Sequence, residues 1–156
     1  MNLPLFPYTG DDDYIRAFSQ VVPRLVRAFA PDVLVAQLGI DSYHSDPLTH
    51  LQLTTEGYTE AVRQLVGLGL PLLALGGGGY DVNAVARAWT LAYGVMLGVE
   101  WPDQLPFGFA QEHGAGRLRD ETSPQVPSNL KVDIRRHLED TLEEIRQQVF
   151  SLHGLI

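Results

Sequence analysis

The chain has 156 residues, 45% of them hydrophobic and 19% charged, which are the proportions and length of one folded globular domain. A formal net charge of −8 excludes the broad basic face that phosphate binding needs, so no nucleic-acid partner is expected. The absence of cysteine excludes disulfides, a thiolate nucleophile and a thiolate zinc site.

Residues 1–9 contain Pro4 and Pro7 among alternating apolar residues and read as a short strand or extended arm. They lack the basic and long apolar regions of a signal peptide, and no apolar run has membrane-spanning length. The expectation is a soluble, cytoplasmic protein with no membrane partner. Asp11, Asp12 and Asp13 after Gly10 start a helix, with carboxylates at its positive end. Tyr14, Phe18, Val21, Val22, Leu25, Val26 and Phe29 follow at helical spacing, and Pro23 is expected to kink or split the element.

Residues 32–39 are almost continuously apolar, as in a strand buried on both faces. A polar loop over 40–54 leads to an amphipathic helix over 55–68, opened by Thr54, Thr55 and Glu56 and closed at Gly69. Residues 70–75 form a second buried strand, followed by glycines at 76–79. A helix over 81–97, capped by Asp81 and apolar on most faces, is expected inside the core.

This alternation predicts an α/β fold, a parallel sheet flanked by helices. The whole chain reads as one domain over 1–156: an α/β core over 1–99, an irregular Pro- and Gly-rich segment over 100–127, and a charged C-terminal helix over 128–153. Leu138, Leu142, Ile145, Val149 and Leu152 form a stripe on that helix, expected to pack on the outside of the sheet; a partner helix is the rival reading.

In open α/β sheets, functional groups collect on loops leaving the carboxyl ends of strands. Two unusual loops sit there. In residues 37–48, Asp41, His44 and Asp46 are candidate ligands for a divalent ion. The simpler alternatives are that Asp41 or Asp46 caps the loop through backbone N–H groups, and that His44 is an ordinary loop histidine. In residues 75–81, four glycines leave the backbone bare for close approach. No Lys-Ser/Thr follows them and the Gly-x-Gly-x-x-Gly spacing is absent, so both nucleotide motifs fail. Tyr80 is either a core tyrosine beside a tight turn or a phenol O–H placed to stabilise an oxyanion.

Taken together, these segments resemble the histone deacetylase superfamily. The match runs through Asn2-Leu3-Pro4-Leu5, Gly10-Asp11-Asp12 and Tyr14. It continues through Asp41-Ser42, Asp46-Pro47-Leu48, Leu51-Gln52-Leu53-Thr54 and Leu75-Gly76-Gly77-Gly78-Gly79-Tyr80. Val85-Ala86-Arg87-Ala88-Trp89 and Gly94-Val95-Met96-Leu97-Gly98 extend it, so it covers about residues 2–100. Within the superfamily the chain is most similar to the bacterial acetoin-utilization deacetylases.

The resemblance implies the C-terminal part of an arginase/deacetylase-like fold. It implies that Asp41 is one of two aspartates that, with a histidine, hold a catalytic zinc or another divalent metal. It implies that Tyr80 hydrogen-bonds the acetyl carbonyl, that Leu48 walls the acyl-lysine tunnel, and that Gly78 and Gly79 line its glycine side. The substrate would be an acetylated lysine or a small acetyl amide. The family's histidine pair and its Asp-x-His ligand motif have no counterpart here: His44, His50, His113, His137 and His153 are scattered. A catalytic zinc needs about three protein ligands. The chain is therefore expected to be the C-terminal half of a deacetylase, inactive alone, with zinc only in the complete enzyme. A complementary N-terminal polypeptide or self-association would cover an open sheet face. The alternative is a non-catalytic remnant acting as an interaction or dimerisation module. A nucleotide-binding domain rests on the glycine run alone.

Overall fold

The computed structural model describes residues 1–155. Helix α1 spans Asp11–Phe29, strand β1 Leu34–Gln37, helix α2 Thr55–Val66, strand β2 Leu72–Leu75 and helix α3 Val82–Leu97. Helix α4, Phe107–His113, and helix α5, Ser128–Gln148, follow, with a 3-10 turn over Phe150–His153. The two strands pair in parallel, from Leu34 opposite Leu72 to Gln37 opposite Leu75. The α/β arrangement is the one expected, and its boundaries follow local chemistry. Thr54 caps α2 by accepting the Glu56 N–H, and Asp81 caps α3 by accepting the Asn83 and Ala84 N–H groups. Gly98, at φ 66°, ends α3 in the left-handed conformation that glycine adopts without strain.

Five expectations need correction. Helix α1 is a single element through Pro23. The missing proline N–H removes one helical bond, but Ala17 and Val21 remain packed against Leu138, Leu142 and Ile145 of α5. Helix α5 accordingly lies on α1, not on the sheet, and its apolar stripe stops short of Leu152, which is exposed. The strands are not buried on both faces: Val35, Leu73 and Leu75 are 58%, 52% and 48% exposed, while Ala36 is buried. Helix α3 is covered on one side only. Ala84, Ala88, Leu91 and Ala92 are buried beside α2, whereas Val82, Tyr93 and Leu97 face outward. Finally, the segment over 100–127 contains α4 and a bridge between Gln104 and Arg117.

That segment is tied to the core chiefly by a largely buried network around Asp120. Asp120 Oδ1 accepts from the Tyr43 hydroxyl at 2.7 Å and from Arg87 Nη2 at 2.8 Å. Its Oδ2 accepts the Thr55 N–H at 2.8 Å, and its own N–H donates to Thr55 Oγ1 at 2.9 Å. Burial acts to raise the Asp120 carboxyl. The Thr55 N–H, the Tyr43 hydroxyl and the Arg87 guanidinium outweigh it and hold the group below its ordinary value. Burial and the Asp120 carboxylate together raise the Tyr43 phenol. Among the described residues, the buried Arg87 Nε has no hydrogen-bond partner, so removing Asp120 would leave the guanidinium still less satisfied.

Asp120→Ala should therefore cost about 3–5 kcal/mol in urea unfolding at neutral pH, the cost of breaking a buried ion pair. Because the folded carboxyl titrates below the unfolded one, its contribution is complete above about pH 4 and is lost as pH falls through the folded value. The wild type should thus lose stability more steeply than the variant on acidification below that point. Parallel acid profiles would contradict this.

Candidate functional site at the strand ends

Strands β1 and β2 are adjacent and parallel, so the loops that leave their carboxyl ends lie side by side. They are held together by main chain. The Leu38 N–H donates to Leu75 O at 2.8 Å, and the Ile40 N–H donates to Gly78 O at 2.7 Å. Beneath them, the Trp89 indole N–H and the Tyr58 hydroxyl both donate to Leu38 O, at 2.8 and 3.0 Å. Those two side chains belong to α3 and α2, so the first loop is fixed from the core.

Contacts leave little space for side chains at three of the four glycines. A Cβ on Gly77 would stand 2.7 Å from the Gly39 nitrogen, and one on Gly78 would stand 2.2 Å from Asp41 Oδ2. Gly79, at φ 147°, occupies a conformation that side chains rarely take, and a Cβ there would meet Ile40 Cγ2 at 2.6 Å. Gly79 is thus dictated by the core, while Gly78 is dictated by the carboxylate of Asp41.

Asp41 is half-buried, and its main-chain oxygen accepts from the Thr49 hydroxyl. Among the described residues, the hydrogen bonds of this loop run through the Asp41 main-chain oxygen and the Asp46 carboxylate and not through the Asp41 carboxylate. Tyr80 is 55% exposed, two residues beyond the glycine that touches Asp41, so its side chain is not a core tyrosine. Leu48 is also exposed. Asp46 is buried, and its two oxygens accept the N–H groups of Leu48 and Tyr80. It is a loop cap, not a candidate ligand. The Leu48 bond is a local Asx turn legible from sequence. The Tyr80 bond spans 34 positions and left no sequence signal.

His44 packs on the Tyr43 ring, His50 beside Tyr8, His113 beside Phe109 and His137 beside Phe6. Among the described residues, no group of three or more His, Cys, Asp or Glu side chains is placed to hold a metal. The residues of this chain therefore do not fit a zinc centre by themselves: Asp41 offers one carboxylate where about three ligands are needed. Among the described residues, no helix is long and apolar enough to cross a membrane.

At the carboxyl end of the parallel sheet, where α/β domains commonly collect functional groups, stand the bare glycine turn, the Asp41 carboxylate and the exposed Tyr80 phenol. Residues 1–96 match the histone deacetylase domain family. Histone deacetylase 19 of Arabidopsis thaliana is 36% identical over 155 residues, covering 99% of this chain and 29% of that protein. Histone deacetylase 1 of Homo sapiens is 33% identical over 151 residues, covering 97% of this chain and 30% of that protein. Histone deacetylase 1 of Oryza sativa subsp. japonica is 34% identical over 154 residues, with 94% and 29% covered. The chain belongs to the histone deacetylase family, and it spans about 30% of the length of these relatives.

These contacts predict a graded glycine series in thermal unfolding. Gly78→Ala should destabilise by about 1–3 kcal/mol, as overpacking does, because its Cβ must displace Asp41. Gly79→Ala should cost at least as much through strain and the Ile40 contact. Gly108→Ala, in exposed α4 with nothing within 4 Å, should be neutral or slightly stabilising. Equal effects at all three sites would contradict the packing described.

Proposed function

We propose that this chain is the C-terminal portion of a zinc-dependent deacetylase that hydrolyses acetyl-lysine or a related acetyl amide, and that it is inactive alone. The observation that supports this most strongly is that the Asp41 carboxylate fills the space a side chain on Gly78 would need, two residues before the exposed phenol of Tyr80, in a chain of the histone deacetylase family. In this reading Asp41 contributes one carboxylate to a metal whose other ligands come from outside this chain. The Tyr80 hydroxyl donates a hydrogen bond to the acetyl carbonyl oxygen as negative charge grows on it, an interaction stronger in the transition state than in the ground state. Leu48 offers an apolar wall for the acyl-lysine stem, and Gly78 and Gly79 offer a side without side chains. Within the family we group the chain with the acetoin-utilization deacetylases, on the motifs over residues 2–98, and place it in the cytoplasm. All 156 residues act as one unit in this proposal.

The exposed sheet face supports the assembly part of the reading. Covering a fully exposed Val or Leu side chain contributes about 1.5–3 kcal/mol. Val35, Leu73 and Leu75 are about half exposed, so their burial by a complementary N-terminal polypeptide, or by a second copy, favours association. The same face favours a second reading, in which the chain is a non-catalytic interaction or dimerisation module.

Combining the chain with the remaining portion of a histone deacetylase domain separates the two. The first reading predicts recovered hydrolysis of an acetyl-lysine peptide, reduced by about 10²-fold or more in kcat by Tyr80→Phe. Association without hydrolysis would leave the second reading. Hydrolysis indifferent to Tyr80→Phe would contradict the role given to the phenol.

A further inference from the structure

Asp46 lies between the two strand-end loops and is only 6% exposed. Its Oδ1 accepts the Leu48 N–H at 2.9 Å, and its Oδ2 accepts the Tyr80 N–H at 2.9 Å. Its own N–H donates to Tyr43 O at 2.9 Å. Burying a carboxylate is costly unless its oxygens are satisfied, and here each oxygen takes a main-chain N–H, the strong, charge-assisted kind of hydrogen bond.

Where those bonds end is informative. Both land on the main chain of residues whose side chains are exposed, Leu48 and Tyr80. The side chains are therefore left free while their backbones are held. The loop before Tyr80 consists of four glycines, which have no side chains with which to anchor it and which allow wide backbone freedom. The Ile40 N–H holds this turn at Gly78 O, and Asp46 adds a second hold two residues further on, at the Tyr80 N–H. From the other side, the Ser45 hydroxyl donates to the Asp81 carboxylate, which also caps α3, so the two loops are stitched at consecutive positions.

We propose that Asp46 is the positioning residue of the site: one buried carboxylate sets the separation between the Tyr80 phenol and the apolar Leu48 wall. The proposal rests on the catalytic reading of Tyr80 given above. Asp46 itself touches neither substrate nor metal. It acts through the backbone of the two residues that do the contacting.

The test has two arms. In the full chain alone, amide hydrogen exchange followed by NMR should show the Tyr80 and Leu48 N–H groups exchanging about tenfold faster or more in Asp46→Ala, the size of a lost charge-assisted hydrogen bond. The buried α2 amides of Ala61 and Val62 should keep their wild-type rates. Asp46→Asn has a single carbonyl acceptor and should restore protection at no more than one of the two amides. It also decides the matter if the alanine variant fails to fold. Unchanged exchange at Tyr80 in a folded variant would overturn the proposal. In a complete deacetylase containing this chain, Asp46→Asn should lower kcat about tenfold or more with KM little changed, the signature of an interaction expressed in the transition state. Unchanged kcat in an enzyme that Tyr80→Phe inactivates would also overturn it. If Tyr80→Phe leaves activity intact, the deacetylase reading of Tyr80 fails, and the exchange arm still decides whether Asp46 anchors the loop.

Discussion

The close approach of two backbones, Gly39 to Gly77 and Gly78, is the constraint on which the rest of this structure depends. With the Ile40 N–H bonded to Gly78 O at 2.7 Å, no room for a Cβ on Gly77 and little on Gly39, the loops leaving β1 and β2 become one layer. Only because they touch does Asp41, at the end of one strand, stand against the turn that carries Tyr80 from the other. Substituting any ordinary residue at Gly77 would force main chain away from main chain, since the obstructing atoms are the nitrogen and Cα of Gly39. The core beneath serves this contact. Trp89 and Tyr58 both donate to the Leu38 carbonyl, which fixes the height of the first loop from two different helices.

Around that contact the packing is one-sided. Two small clusters, one around Ile40, Tyr58, Val62 and Ala88 and one joining α1 to α5, hold the helices together. The outer face of the sheet keeps Val35, Leu73 and Leu75 in the open. A two-stranded parallel sheet is seldom stable without covering layers, and purely parallel sheets are normally covered on both sides. The arrangement accords with a chain that spans about 30% of its relatives' length. Polar tethers compensate locally. Asp11 reaches from the first turn of α1 to the Thr54 N–H and hydroxyl, and Asp120 joins Thr55, Tyr43 and Arg87. Each carries one element onto the start of α2.

Local chemistry made most of the fold legible in the sequence. The caps at Thr54 and Asp81 and the apolar strands needed only short-range patterns, whereas the helix expected to close at Gly69 ends at Val66, with Gly67 as its C-cap. What failed was everything that depended on which neighbour arrives. Nearly continuous apolar strands imply two covered faces, and only the structure shows that one face has no cover within the described residues. The stripe on α5 announced a buried helix without naming α1 as its partner. At the site, Asp41 and Tyr80 could be singled out by position and resemblance. Asp46 could be read as a ligand or as a cap, because its decisive partner is 34 residues away. Asp120 carried no signal at all, since its partners Thr55, Tyr43 and Arg87 meet only in three dimensions.

The central claim is that Asp41 and Tyr80 belong to a deacetylase centre that this chain contributes to without completing. Zinc content, measured on the purified chain after equilibration with zinc and removal of excess, tests it directly. Far less than one tightly held ion per chain is expected, because one carboxylate does not make a tetrahedral site. Stoichiometric, tightly bound zinc that is lost on Asp41→Asn would contradict it, by showing that the chain builds a metal centre of its own.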